Sequence, residues 1–367
     1  MNMKVFILSV FCFMLSSCGK RVTNQVEYPM SYTVEYAEDE VFDWFSHMVI
    51  EDVCFLEFSD SSMISVAQDC QLIQDKIFVQ DNKQHILLAF DKEGNYLYTI
   101  QNIGNGPGEY IDIRSFCPSS GGDAVIINDG YKLLYYNLSD GKFIHSVPLD
   151  MKVENPVRNV MFSSCINTAQ NTYYLWTDMA DYTLYRCDDK EMTGLKPNRY
   201  FQLGMKKFYS NYQSEYLYCP DYGEFGISTV DGKKRFFVDF GSDALPEEMK
   251  PKTMKDFQKL EQSPYFKAIM NVQESQSGIY ISALSPKTNY YDIYIDKSSG
   301  QMLKGDTDPK SYLNVVQVEV DSFYALFYPY FVEDDSPLKK ELAKYGSFSD
   351  NPVLIKFRIN LNDAIAG

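Results

Sequence analysis

Histidine and tryptophan are scarce: three His and two Trp in 367 residues. The histidines (His47, His85, His145) are scattered and no two cysteines are spaced C-x-x-C, so the usual zinc-ligand patterns are missing. Asp306-Thr307-Asp308 fails the calcium-loop spacing because Lys310 occupies the next ligand position. There is no G-x-S-x-G, which removes the commonest nucleophile-elbow signature. These gaps leave no residue assigned as catalytic, no metal site and no cofactor. Basic charge is also short. Lys and Arg number 34 against 50 Asp and Glu, for a net charge of −16. An acidic surface opposes binding to nucleic-acid backbone, so no nucleic-acid partner is expected. Long apolar runs are missing too: Val5–Leu15 is too short for a bilayer core of about 30 Å. What is plentiful is aromatic, 29 Tyr and 25 Phe, and these prefer strands.

The apolar run of Val5–Leu15 follows Lys4, the pattern of a secretory signal. Leu15-Ser16-Ser17-Cys18-Gly19 resembles the lipobox of bacterial lipoproteins. That resemblance implies cleavage before Cys18 and acyl chains on its sulfur and amine, enough for stable membrane attachment. The expected location is the cell envelope, lipid-anchored at the outer membrane, on its periplasmic or cell-surface face. Residues 1–17 are then the signal peptide and 18–40 a polar tether, with a short strand within Ser31–Tyr36. Six further cysteines (Cys54, Cys70, Cys117, Cys165, Cys187, Cys219) are irregularly spaced, several inside apolar runs. Export permits disulfides, but such placement reads as buried thiols acting as small hydrophobes.

From residue 41 onward, short strand-like runs alternate with turn signals. Ile77–Val79, Tyr96–Ile100, Ala124–Asn128, Tyr182–Cys187, Tyr290–Ile295 and Val353–Ile359 are examples. Gly94, Gly141, Gly232 and Gly300 each sit between two such runs, at intervals of 47, 91 and 68 residues. Glycine supplies the positive φ of a hairpin turn. Recurrence every 40–50 residues is the mark of a β-propeller blade, with one blade lacking a clean turn near Thr193-Gly194. Six blades would take about 54 residues each and seven about 46, so length alone does not decide. Two segments break the pattern. Residues 245–271 suggest a helical insertion, with Phe257 and Leu260 at helical spacing. Ser336, Pro337 and Gly346 read as N-cap, N1 and C′ of a short late helix. The expectation is an all-β chain, 41–367 forming a single propeller.

Residues 90–110 (FDKEGNYLYTIQNIGNGPGEY) and Asp350–Ile355 resemble the six-bladed β-propeller lipoproteins of Bacteroidetes, relatives of the NHL-type propellers. The resemblance implies six blades and carries no defined activity. Its most specific part is Gly104-x-Gly106-Pro107-Gly108-Glu109-Tyr110. This loop suits the crossing from the outer strand of one blade to the inner strand of the next, Glu109 accepting backbone N–H groups and Tyr110 packing between blades. The alternative places Glu109 at the channel mouth as ligand or general acid. The loop lacks the Lys-Ser/Thr of a phosphate-binding P-loop.

His85 and His145 read as strand residues. Most aromatics read as packing between blades. Tyr209, Tyr212, Tyr216 and Tyr222, in a segment 208–226 read as a loop, are the candidates for ligand contact. Together these features point to a lipid-anchored binding or scaffolding module for a glycan, peptide or protein. The alternative is a carbohydrate-active hydrolase or lyase with acidic residues at the channel mouth.

Overall fold

The structure, a computed structural model, describes residues 28–149, 160–188, 191–202, 206–260, 262–287, 289–308 and 312–361. Cys18 and the signal peptide lie outside them. Three N-terminal strands come first: β1 (Ser31–Thr33), β2 (Val41–Phe42) and, after a short helix α1 (Trp44–His47), β3 (Met48–Phe55). Six antiparallel sheets then follow around a ring. Blade one is β4 (Ala67–Ile73), β5 (Lys76–Asp81), β6 (Ile86–Asp91) and β7 (Tyr96–Ile100). Blade two is β8 (Ser115–Pro118), β9 (Ala124–Asn128), β10 (Lys132–Asn137) and β11 (Phe143–Pro148). Blade three is β12 (Ser164–Ala169), β13 (Thr172–Trp176), β14 (Tyr182–Cys187) and β15 (Met192–Pro197). Blade four is β16 (Phe208–Ser210), β17 (Tyr216–Tyr218), β18 (Gly226–Thr229) and β19 (Lys234–Asp239). After helix α2 (Met254–Leu260), blade five is β20 (Ala268–Glu274), β21 (Gly278–Leu284), β22 (Tyr290–Asp296) and β23 (Met302–Thr307). Blade six takes β24 (Asn314–Glu319), β25 (Ser322–Phe327) and, after helix α3 (Pro337–Leu342), β26 (Val353–Ile359). This is a six-bladed β-propeller.

Blade six obtains its fourth strand from the start of the chain: β3 pairs antiparallel with β26, Phe55 opposite Val353 and Met48 opposite Ile359. Closure in this way covers an apolar strand edge. The two strands ahead of β3 add to neighbouring blades. β1 runs parallel to β19, and β2 parallel to β23. Residues 31–33, within the segment read as tether, therefore lie on the outer edge of blade four.

The core is divided among the blade interfaces. Phe78, Leu87 and Ile100 of blade one meet Phe116, Val125 and Tyr136 of blade two. Ile279, Ile281 and Ile293 of blade five meet Leu217, Phe236 and Val238 of blade four. Gly94, Gly141, Gly232 and Gly300 all occupy the turn between the third and fourth strands of their blades, with φ of 90°, 68°, 92° and 72°. In these turns a side chain at the strand end often organises the backbone. Asp91 Oδ1 accepts from the amides of Glu93 and Asn95, and Asp296 Oδ1 from those of Ser298 and Ser299. Blade three, with no glycine there, lies in the wide interval between Gly141 and Gly232.

Three expectations need correction. The helical insertion is short: only Met254–Leu260 is α-helix, Gly241–Asp243 and Glu247–Met249 are 3₁₀ turns, and Ala268 already begins β20. It lies in the crossing from blade four to blade five, with Phe257 against Tyr222 and Phe201. The late helix has its Ser336 cap and Pro337 as expected, but it ends at Ala343. Gly346 is small for another reason: a Cβ there would come within 2.7 Å of the Phe55 ring. Finally, segment 208–226 is mostly sheet, containing β16 and β17.

Candidate functional site

The innermost strands β4, β8, β12, β16, β20 and β24 surround a central channel. Their first residues lie at one end of the ring. That end also carries every crossing from an outer strand to the next inner strand, and we call it the mouth. In β4, β20 and β24 the register slips by one residue close to the mouth, between Ala67 and Asp69, Ile269 and Asn271, and Val315 and Gln317. A bulge re-aims side chains. The extra residues Gln68, Met270 and Val316 all line the channel.

Two cavities occupy this region. The larger, about 280 Å³, is lined by polar groups including Gln71, Gln80, Asn82, Ser115, Ser164 and Gln317. The smaller, about 180 Å³, is lined by Tyr280, Tyr290, Tyr312, Ser282, Asp292 and Asn314 among others. Both share Gln68, Asp69, Lys206, Tyr209 and Val316. At their boundary, Lys206 Nζ of blade four lies 2.7 Å from Asp69 Oδ1 of blade one, so the ion pair joins opposite blades. Asp69 is held from its own strand as well: the Cys70 amide donates to Oδ1 (2.9 Å) and Gln71 Nε2 to Oδ2 (3.0 Å). Lys206 also sits 5.3 Å from the centre of the Tyr209 ring.

Asp292 is the second carboxyl of the smaller cavity. Tyr280 donates to its Oδ1 (2.8 Å) and Thr307 to its Oδ2 (2.7 Å). Burial pushes its carboxyl above the usual range, against the opposing effect of these hydroxyls. At the rim of the larger cavity, His85 Nδ1 lies 2.8 Å from Asp112 Oδ1 and Arg114 Nε 3.3 Å from Asp112 Oδ2. His85 is not inside a strand: it ends the turn before β6 with φ 56°, half exposed. His145 is on β11, stacked on Tyr135. Among the described residues no group of three or more His, Cys, Asp or Glu is placed to hold a metal ion.

The sequence candidates fall in different places. Of the four tyrosines, Tyr209 and Tyr216 line the larger cavity. The Tyr209 hydroxyl donates to Met270 O at 2.9 Å. Tyr212 is at the opposite end of blade four, beneath Lys297 Nζ at 4.7 Å. Tyr222 is buried under α2. Gly104, Gly106, Pro107, Gly108, Glu109 and Tyr110 lie in the crossing from β7 to β8. Glu109 Oε2 accepts from the Gly106 amide at 2.7 Å, and a Cβ on Gly104 would collide with the same carboxylate. The Gly108 carbonyl accepts from the Tyr136 hydroxyl (2.8 Å). Tyr110 is buried between blades one and two, its hydroxyl donating to Ile100 O and His85 O. The loop residues are thus occupied with one another and with the blade seam.

Sequence reading missed Gln68, Asp69, Lys206, Tyr280 and Asp292. For Gln68 and Asp69 the signal available was indirect, polar residues interrupting the first strand of the blade, as in Gln68-Asp69-Cys70-Gln71; Lys206 precedes β16, and Tyr280 and Asp292 lie on the second and third strands of blade five, where no such signal existed.

No curated protein matches this chain. Among solved structures it is similar to a Bacteroides fragilis protein designated as exported, at 17% identity and a TM-score of 0.72, covering 90% of this chain and 100% of that one. It is also similar to a DUF4221-family member from Bacteroides vulgatus, at 14% identity and a TM-score of 0.58, covering 85% of this chain and 98% of that one. At such identities the likeness is one of fold. A family model matches from within β3 to within β26, across all six blades, and so the chain belongs to DUF4934, a domain of unknown function, over residues 52–357.

Proposed function

We propose that the protein is a cell-envelope binding module that takes a glycan at the channel mouth. The observation that carries this reading is the chemistry of the two joined cavities. Amide and hydroxyl side chains supply donors and acceptors for sugar hydroxyls, and Tyr209, Tyr280, Tyr290 and Tyr312 supply aromatic walls. Tyr290 is exposed. The mouth loops also carry exposed Met63, Ile103, Ile111, Tyr131, Met179, Tyr330 and Phe331, apolar surface suited to a larger ligand outside the channel. The name of the Bacteroides fragilis relative is consistent with export. No helix among the described residues is long and apolar enough to cross a membrane. In this reading a lipid on Cys18, as in the NHL-like propeller lipoproteins, holds the ring at the outer membrane.

The test is a screen of the soluble chain from residue 19 against envelope and dietary glycans and peptides, followed by titration calorimetry. Tyr290→Ala should weaken a glycan hit at least tenfold while leaving the melting temperature unchanged. Hits confined to peptides, or a glycan hit insensitive to Tyr290, overturn the reading. Cys18→Ala in the full chain should release the protein from membranes. Undiminished membrane association without acyl mass on the N-terminal peptide defeats the anchor.

One observation favours a carbohydrate-active hydrolase or lyase instead. Asp292, with its raised carboxyl, shares the smaller cavity with Asp69, an arrangement from which an acid and a base can be drawn. Product release from a bound glycan, lost in Asp292→Asn with binding retained, selects this second reading.

A further inference from the structure

Cys117 on β8 and Cys165 on β12 face each other across the seam between blades two and three. Their sulfurs are 3.8 Å apart. A hydrogen bond also joins the two strands here, the Cys165 amide donating to Ser115 Oγ at 3.1 Å. Both residues are almost fully buried, and both belong to the wall of the larger channel cavity. The two thiols therefore stand side by side just beneath the surface of that wall. A disulfide needs about 2.05 Å between sulfurs, so closing the bond brings the two sulfurs about 1.8 Å nearer. Behind the two cysteines the packing is apolar or phenolic: Ile126, Leu133, Ile166 and Tyr173 belong to the same cluster.

We propose that Cys117 and Cys165 form an oxidisable dithiol in the channel wall, closed to a disulfide by exchange with a small disulfide compound that enters the mouth. One cysteine loses its proton and its sulfur attacks a sulfur of R–S–S–R. The R–S–S–R bond breaks, and the first R–S⁻ leaves and is protonated. The second cysteine then loses its proton and attacks the sulfur of the first, expelling the second R–S⁻, which is also protonated. Two protein thiols are oxidised, one external disulfide is reduced to two thiols, and no other oxidant is required. The hydrogen bond with Cys165 raises the Cys117 thiol above its ordinary range, and burial adds to it. Exchange is accordingly slow at neutral pH and accelerates in alkali. The bond would close β9, β10 and β11 of blade two into a covalent loop and tie its inner strand to that of blade three. It would stiffen one side of the cavity read above as the ligand site, although the chemistry does not depend on that reading.

The experiment uses the folded protein and hydroxyethyl disulfide, a small neutral oxidant, at pH 8.5. Intact mass should fall by about 2 Da, free thiols by two, and a non-reducing digest should join the peptides holding Cys117 and Cys165. The oxidised protein should melt several degrees higher and revert on reduction, since a cross-link restricts the unfolded chain. Cys117→Ser should show no closure, stopping at a single mixed disulfide or none. A second variant, Cys165→Ala, reads the same outcome from the other side should the first fold poorly. Linkage between other cysteines overturns the proposal, and so does unchanged thiol content in the folded wild type after a day. Equal closure in Cys117→Ser also overturns it.

Discussion

Replacing Gly108 by alanine tests how the crossing between blades one and two is built. Gly108 has φ 74°, a region that costs a residue with a Cβ about 1–2 kcal/mol. The new Cβ would also stand 2.6 Å from Phe143 Cγ, on the outer strand of blade two. Ordinary carbon contacts are about 3.5–4.0 Å, so the ring must move, at about 1–3 kcal/mol for overpacking of this kind. The expected total is about 2–5 kcal/mol. Gly232 is the internal control: its φ is 92°, but a Cβ there meets nothing within 4 Å. Gly232→Ala should therefore cost only the backbone term, about 1–2 kcal/mol. For a domain of this size each kcal/mol moves the melting temperature by about 2 °C. Thermal unfolding should place Gly232→Ala about 2–4 °C and Gly108→Ala about 4–10 °C below wild type. Equal losses would show that Phe143 yields freely, and that the tight packing of this crossing contributes nothing.

Three other outcomes follow from the same structure. Glu109→Gln keeps an oxygen for the Gly106 amide and loses the charge, so urea unfolding should show a loss of about 1 kcal/mol; normal stability with lost ligand turnover would make Glu109 a catalytic acid. Asp292 has its carboxyl raised by burial, so the folded chain holds a proton that the unfolded chain releases as pH rises above about 4. Wild-type stability is therefore lost through this group as pH rises, and the advantage of Asp292→Asn in denaturant melts should grow from pH 4 toward neutrality; a pH-independent difference would refute this. A chain beginning at residue 56 lacks β3 and leaves the apolar edge of β26 open, so gel filtration should show oligomers or aggregate, and a monodisperse monomer with wild-type melting would refute the importance of closure.

The strands that were legible in the sequence are the middle and outer ones. Ile126 and Ile127, or Ile293 to Ile295, are packed between blades on both faces and so form plain apolar runs. The inner strands were not legible, because one side of each faces the channel. β4 reads Ala-Gln-Asp-Cys-Gln-Leu-Ile, and its bulge breaks the alternation that identifies a strand. β16 and β17 have three residues each, too few to show any period, which is why 208–226 read as a loop. The mouth was hidden for a related reason. Asp69 and Lys206 are 137 residues apart in sequence and meet only because the ring brings opposite blades together. The GPGEY loop was conspicuous because a local backbone need concentrates glycine in one place.

The direction of β1 sets where a pull on the N-terminal chain would reach the ring. β1 is parallel to β19, whose last residue, Asp239, leads into a mouth crossing. β1 accordingly begins at the far end, where Tyr28 lies 5.7 Å from the Phe237 ring and 5.6 Å from Lys234 Nζ. In the lipid-anchored reading, a pull from a restraint on the chain ahead of Tyr28 would reach the rim of blade four at the end opposite the mouth. Tension between that restraint and a ligand seated in the mouth would act along β1, sliding it against β19 rather than peeling it away. Sliding strains the bonds between the two strands together instead of one after another. If the chain is anchored ahead of Tyr28, β1 would act as a mechanical clamp as well as an added edge.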